Sequence, residues 1–304
     1  MDVSVVIPVF NAAAFVDKAV QSALAQPQTQ EVLLIEDGST DDSLARCQSL
    51  AERHEKVRLL RHPSGQNRGA GASRNLGLDH ASCDYIAFLD ADDFYLAHRF
   101  QQAALVLAQH PKADGVYEAI GVHYYEPQQK ALFEQQFGPH HLTSLSEEVP
   151  PDALFETLLR GDKGWFSLDG LVVKKELIEA TGRFDEELRQ GQDTDYILRL
   201  SLQGQLHPGS IWEAVAMRGV HGANRIFDAA SRRASKVLFY EKWFFRMLDN
   251  RWNARVNRLI LQKYIGFRPL FDRWQQYPFF SRMLKYLYAF WLLLRHPRLI
   301  LLLC

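Results

Sequence analysis

Over the first 120 residues, short apolar runs alternate with stretches whose apolar residues recur at helical spacing. Val3–Val9 predicts a buried strand, and Ala12–Ala25 a helix with Phe15, Ala19, Val20 and Ala23 on one face. Glu31–Ile35, Val57–Leu60 and Tyr85–Leu89 are β-branched or aromatic enough to be further strands, and Ala70–His80 is helical in pattern. Strands alternating with helices predict a parallel, doubly wound α/β sheet. Residues 121–165 are less periodic and hold Pro127, Pro139, Pro150 and Pro151, so loops and irregular strands are expected there. Leu171–Val173 and Ile211–Val215 read as later strands, with a helix over Thr194–Leu202. From Asp228 onward the pattern is helical and rich in Trp, Phe, Leu and Arg.

Ligands of open α/β sheets bind where loops gather at the carboxyl ends of the strands. Three polar loops follow predicted strands: Phe10-Asn11, Glu36-Asp37-Gly38-Ser39 and Asp90-Ala91-Asp92-Asp93. Like charges crowded at a strand end must stay solvated. They suit a hard divalent cation, which takes oxygen ligands. A polar turn capping the next helix is the competing reading. Asp37 lies between a strand and a glycine turn, and its carboxylate only accepts hydrogen bonds. That fits the imide N–H of uracil or thymine, or the adjacent N–H groups of guanine; a plain Asx-turn fits as well. Asn67–Asn75 leads through glycines into a helix, whose amides and positive end suit a phosphate. It is not a Walker A loop, and a helix start with a surface arginine also accounts for it.

Length and charge add a second region to this picture. A chain of 304 residues exceeds the usual single domain, so one large α/β domain plus an appendage is expected. Its 47% hydrophobic and 23% charged residues are ordinary for a soluble protein. Three scattered cysteines predict reduced thiols in a cytosolic setting, and the N-terminus reads as a strand, not a signal peptide. The net charge of −1 hides an asymmetry: Arg225–Cys304 holds 16 Lys/Arg against 4 Asp/Glu, leaving 19 and 32 for the rest. Within this basic end, Tyr286–Leu294 is uncharged, but nine helical residues reach only ~14 Å and cannot span a bilayer core of ~30 Å. Apolar faces flanked by arginines predict an interfacial segment on an anionic membrane surface. A helical subdomain packed on the core, or an oligomer interface, competes with that reading. Nucleic acid is not an expected partner, because the acidic first part would repel it.

Five motifs in order carry a specific resemblance: Val5-Val6-Ile7-Pro8-Val9-Phe10-Asn11, Glu36-Asp37-Gly38-Ser39-Thr40-Asp41, Phe88-Leu89-Asp90-Ala91-Asp92-Asp93, Gly182-Arg183-Phe184-Asp185-Glu186 and Gly191-Gln192-Asp193-Thr194-Asp195. Together they resemble the family 2 glycosyltransferases, inverting enzymes of the GT-A fold that use nucleotide-sugar donors. The resemblance implies an open α/β sheet with a Rossmann-like nucleotide-binding half over residues 1–225, followed by a helical region over 226–304. It implies a hexosyltransferase-type activity in cell-surface polysaccharide synthesis, with a UDP-, GDP- or dTDP-linked donor, Mg²⁺ or Mn²⁺, and a glycan or lipid-linked acceptor. Pro8, Asn11, Asp37, Arg74 and Asp90 are then expected at the donor, and Asp92 and His221 at the metal. Asp193 is the expected catalytic base, with Asp195 competing for that role. Trp165 and Asp169 are expected on the acceptor side. Gln192 departs from the family's usual Glu. The expected location is the cytoplasm, peripheral on the inner face of the cytoplasmic membrane. Processive synthases in the family carry Gln-x-x-Arg-Trp; here Leu248 and Leu270 precede Arg251-Trp252 and Arg273-Trp274, so that class is not expected. A sugar-1-phosphate nucleotidyltransferase would need a basic glycine-rich loop after the first strand, and Asn11-Ala12-Ala13-Ala14 is not one. A catalytically silent scaffold acting through the basic C-terminal region is the remaining alternative.

Overall fold

The computed structural model describes residues 1–138, 142–222, 224, 229–250, 252–267 and 278–303. It divides into two compact units, Met1–Arg225 and Ile226–Cys304.

In the first unit, β1 (Val3–Val9), β2 (Thr29–Glu36), β3 (Val57–Arg61) and β4 (Tyr85–Phe88) pair in parallel in the order β3-β2-β1-β4. They are near-continuous apolar runs because helices cover both faces. The order reverses beside β1, so the loops after β1, β2 and β4 share one edge, as expected at a topological switch point. Beyond β4 the sheet continues through β8 (Leu171–Lys174), β6 (Gly115–Tyr117) and β9 (Leu206–Pro208), with β8 antiparallel to both neighbours. A second sheet of three strands, in the order β5 (Phe94–Tyr95), β10 (Ala216–Val220), β7 (Ile120–Tyr124), carries the chain past the acidic loop. The mixed α/β architecture with an open, parallel-rich sheet is the one expected.

The helices show where local chemistry overrides pattern. Helix α1 (Val16–Leu24) starts later than its apolar spacing suggests. Ala12 N–H donates to Ser43 Oγ and Ala13 N–H to Asp41, so these amides are committed to the neighbouring loop. Helices α2 (Ser43–Arg53), α3 (Ala70–His80) and α4 (Gln101–Gln109) follow, and α3 has its predicted bounds. Residues 121–165 hold two helices that were not expected, α5 (Pro127–Phe137) and α6 (Pro151–Arg160). Pro127 and Pro151 each open a helix, where a missing N–H costs nothing, so these prolines are starts and not breaks. Pro139 lies outside the described residues. Helices α7 (Lys175–Thr181) and α8 (Gln192–Gln203) complete the unit. The expected strand at Ile211–Val215 is instead a turn, closed by Ser210 Oγ donating to Glu213 O, and the ladder begins at Ala216. Cys47 and Cys83 are free thiols; burial pushes Cys47 up to about 12, which makes it inert packing.

The second unit consists of helices α9 (Ala229–Asp249), α10 (Ala254–Gly266), α11 (Pro278–Arg295) and α12 (Arg298–Leu303). Its core gathers Trp243, Phe244, Met247, Ile260, Tyr264 and Leu299, with the Phe244 and Tyr264 rings stacked at 4.2 Å. Asn257 is buried and donates through Nδ2 to Trp252 O and Leu302 O, which ties α10 to α12. Among the described residues, no helix is long and apolar enough to cross a membrane.

Candidate active site

The loop after β1 turns on Asn11, which among the described residues is the only non-glycine with positive φ, +50°. Its Oδ1 accepts Thr40 N–H at 2.8 Å, and its own N–H donates to Ser39 Oγ at 3.0 Å. Loops after β1 and β2 are thereby joined. Pro8, half-buried in β1, pairs in register with Ile35.

Asp37 is buried, and its carboxylate organises the approach to α3. The backbone N–H groups of Arg68 and Gly69 each donate to it at 2.8 Å, and Asn67 Nδ2 at 2.9 Å. The segment is held so tightly that Gly38, at φ +73°, has Asn67 N and Gly65 O within 2.8 Å of where a Cβ would sit. A left-handed backbone and this close approach both require glycine.

Arg74, on α3, is buried and donates through Nη2 to the Asp90 carboxylate. Burial opposes its charge, but Asp90, Asp193 and Asp169 outweigh this and hold the guanidinium above its ordinary value. Asn75 beside it clasps a distant segment: Nδ2 donates to Phe184 O at 3.0 Å, and Oδ1 accepts Phe184 N–H at 2.8 Å. Arg68 reinforces the clasp by donating to Glu186 at 2.8 Å. Two of the sequence motifs therefore hold one another.

The acidic loop splits into two tiers. Asp90 and Asp92 face outward, with Asp90 side chain 45% exposed. Asp92 Oδ2 meets His221 Nε2 at 3.1 Å and accepts Asn224 Nδ2 at 2.9 Å. The His221 ring stacks on Phe15, centroids 4.5 Å apart. Asp93 and Asp169 face inward. Asp93 accepts Gly219 N–H, and Asp169 accepts Asp90 N–H and Ser167 Oγ–H. Burial, then the surrounding carboxylates Asp169, Asp92 and Asp90, push Asp93 well above the ordinary carboxylate range. Burial and Asp90 raise Asp169 likewise. With both groups buried, the charge of Asp169 disfavours ionisation of Asp93.

Carboxylate oxygens of Asp90, Asp93 and Asp169 lie within 4.8 Å of one another. The all-oxygen donor set fits a hard divalent cation, whose charge would relieve the crowding. Asp92 and His221, the expected metal residues, are not part of that trio; they meet one another at 3.1 Å.

Asp193 is the second residue of α8 and half-buried, while Asp195 is fully buried and accepts Arg199 Nε–H at 2.8 Å. Asp193 accepts the adjacent Thr194 N–H at 2.8 Å, and the helix is capped by left-handed Gly191, not by Asp193. Of the two competing aspartates, Asp195 is buried against Arg199, whereas Asp193 is half-buried and its charge acts on the Arg74 guanidinium. Gln192, also buried, leaves its Oε1 without a partner. Trp165 is half-buried and stacks on Phe166; Asp169 sits beneath the acidic loop and does not face an outer surface. Asn75, Asn224 and the Asp93–Asp169 pair are contributions that the sequence reading did not single out. The Arg74-Asn75 dipeptide beside a phosphate-type loop was the available signal for the first.

The fold is thus an open α/β sheet that gathers polar and acidic loops on one edge. The description Glycosyl transferase family 2 matches residues 4–155, and the chain belongs to that family. The succinoglycan biosynthesis protein ExoU of Rhizobium meliloti is 30% identical over 237 residues, which is 75% of this chain and 66% of ExoU. The chain spans between 16% and 66% of the length of the first curated relatives it matches. Among solved structures, S. aureus TarS 1-349 in complex with UDP-GlcNAc superposes with a TM-score of 0.63 at 17% identity, covering 88% of this chain and 71% of TarS. The mannosyltransferase PcManGT of Pyrobaculum calidifontis, in complex with GDP-Man and Mn²⁺, does so with a TM-score of 0.57 at 16% identity, covering 97% and 81%. At these identities the likeness establishes the GT-A fold.

Proposed function

We propose that the chain transfers a hexosyl-type sugar, with inversion, from a nucleotide-diphosphate donor to a hydroxyl of a glycan or lipid-linked acceptor. The carrying observation is the edge where buried Arg74 feels both Asp90 and the half-open Asp193. Asp193 takes the proton of the acceptor hydroxyl; the oxygen's electron pair bonds to the anomeric carbon, and the nucleoside diphosphate leaves from the opposite face. Asp37, with Pro8 and Asn11, receives the base, while Arg74 and Asp90 orient the donor. Asp92 and His221 would hold Mg²⁺ or Mn²⁺, which supplies positive charge against the diphosphate as it departs. Trp165 lies toward the acceptor. Neighbours that bind UDP-GlcNAc and GDP-Man with Mn²⁺ support a nucleotide-sugar donor and a metal. The role of ExoU supports polysaccharide synthesis, and the basic second unit supports work at the inner face of the cytoplasmic membrane.

The test is nucleotide release from a donor panel, with and without Mn²⁺, for wild type and Asp193→Asn. Release should need the metal, and the variant should lose about 10²- to 10⁴-fold in rate while still binding donor. Unchanged turnover in Asp193→Asn would remove it as the base. Release from no donor, with acceptor extract present, would favour the silent scaffold.

A further inference from the structure

We infer that the outer face of α11 and α12 is a docking surface for an anionic lipid leaflet. The inference deepens the membrane-side reading above, and its test is separate from that of the transfer chemistry.

On α11, Tyr286, Leu287, Phe290, Trp291 and Leu294 follow the spacing of a single helical face, and they are 43% to 77% exposed. Leu292, on the opposite side of the same helix, is buried, which fixes the direction in which the stripe points. The pattern repeats on α12, where Leu299 is buried and Leu301 is 82% exposed. A contiguous apolar face of this extent on a water-facing surface marks a place where something binds.

Charge identifies the occupant. Arg282, Lys285, Arg295 and Arg298 accompany the stripe in sequence, and no Asp or Glu occurs from Arg273 to Cys304. The Arg295 guanidinium lies 4.8 Å from the Trp291 ring centroid, so a basic group borders the apolar face directly. A second copy of the chain would bring this face against itself across a two-fold axis, setting basic residues against basic residues. An anionic leaflet answers both parts at once, with acyl chains for the stripe and phosphate headgroups for its rim. Tyr286 and Trp291 are of the type that settles at the headgroup level. At 18 residues and without the hydropathy to span, α11 would lie along the interface over ~27 Å.

The experiment is co-sedimentation of the full chain with vesicles of phosphatidylcholine, alone or mixed with phosphatidylglycerol. The mixed vesicles should bind on the order of tenfold or more tightly, with the advantage shrinking as salt is raised. Phe290→Ser with Leu294→Ser should abolish binding to both. Arg295→Glu with Arg298→Glu, at exposed positions, should remove only the preference for anionic lipid. Equal binding of wild type to both vesicles, or none to either while nucleotide release persists, overturns the inference and leaves the transferase reading standing. A wild-type dimer in light scattering that Leu294→Ser dissociates assigns the face to a second copy and overturns it too.

Discussion

Two buried arginines in the first unit each hold a carboxylate, and their surroundings separate structure from function. Arg99 donates through Nη1 to Glu118 at 2.7 Å, and both side chains are 0% exposed. The guanidinium lies over the Tyr95 and Phe100 rings, and Glu118 also accepts Ser210 N–H. Arg74 is sealed almost as completely at 4%, but its partner Asp90 is 45% exposed. Each guanidinium leaves two nitrogens without a hydrogen-bond partner in the structure. The difference is therefore in the acid. Burial raises Glu118 in spite of Arg99, so the closed pair is costly to keep charged and expensive to break. In the open pair only one member is desolvated, and the other remains available to a ligand. A buried arginine is suited to a site when the group it holds still faces water.

Cutting the closed pair should have the largest effect on folding. Glu118→Ala leaves Arg99 charged and unpaired, and should cost about 3 to 5 kcal/mol in urea denaturation. Arg99→Met with Glu118→Leu should recover most of that loss; no recovery would show that the pair itself is not the source. Cutting the open pair should reverse the pattern. Asp90→Asn should lower nucleotide release on the order of 10²-fold through a misplaced donor, with a far smaller change in melting temperature. Comparable losses of stability in the two variants would erase the distinction.

Glu31 sharpens the comparison from the far edge of the sheet, with the smallest effect. Its Oε1 accepts Ser4 Oγ–H and Ser82 N–H, each at 2.6 Å. Burial opposes its ionisation, but Ser4, Ser82 and Arg58 outweigh that and hold the carboxyl below its ordinary 4.5. A lowered acid contributes stability that is complete above the unfolded value and is lost as pH falls through the folded one. Glu31→Gln should therefore cost about 1 to 3 kcal/mol at neutral pH. The gap to wild type should narrow progressively as denaturation is repeated at pH values falling below 4.5. A gap that persists in acid would assign the effect to packing.

The parallel half was legible because its strands are apolar on both faces and its helices amphipathic, so Val3–Val9 and Ala70–His80 stood out with correct bounds. Pro127 and Pro151 misled, because a proline at a helix start and one that breaks a helix look alike in sequence. Ile211 is buried in the turn, whereas Val215 bonds to the neighbouring segments through Ala119 O and Leu96 N–H; apolar content cannot distinguish those outcomes. At the site, the outward acids were recognisable from their place after strands. The inward pairing of Asp93 with Asp169 was not, since it depends on a contact no local pattern encodes. Asn75 and Asn224 were missed for the same reason: an amide that clasps a distant segment has no periodicity.

The clasp also bears on the order in which the molecule assembles. Asn75 meets Phe184 across 109 positions, Asp90 meets Asp169 across 79, and Gly219 meets Asp93 across 126. Closing such long loops is entropically unfavourable until a framework already holds their ends near one another. The four parallel strands can form from nearer neighbours, whereas the clasp and the inward carboxylate pair must wait for β8 and β10. A chain halted early in refolding would own most of its sheet and none of its candidate site. Recovery of nucleotide binding should thus trail recovery of secondary structure, which makes the site a clock for the last stage of folding.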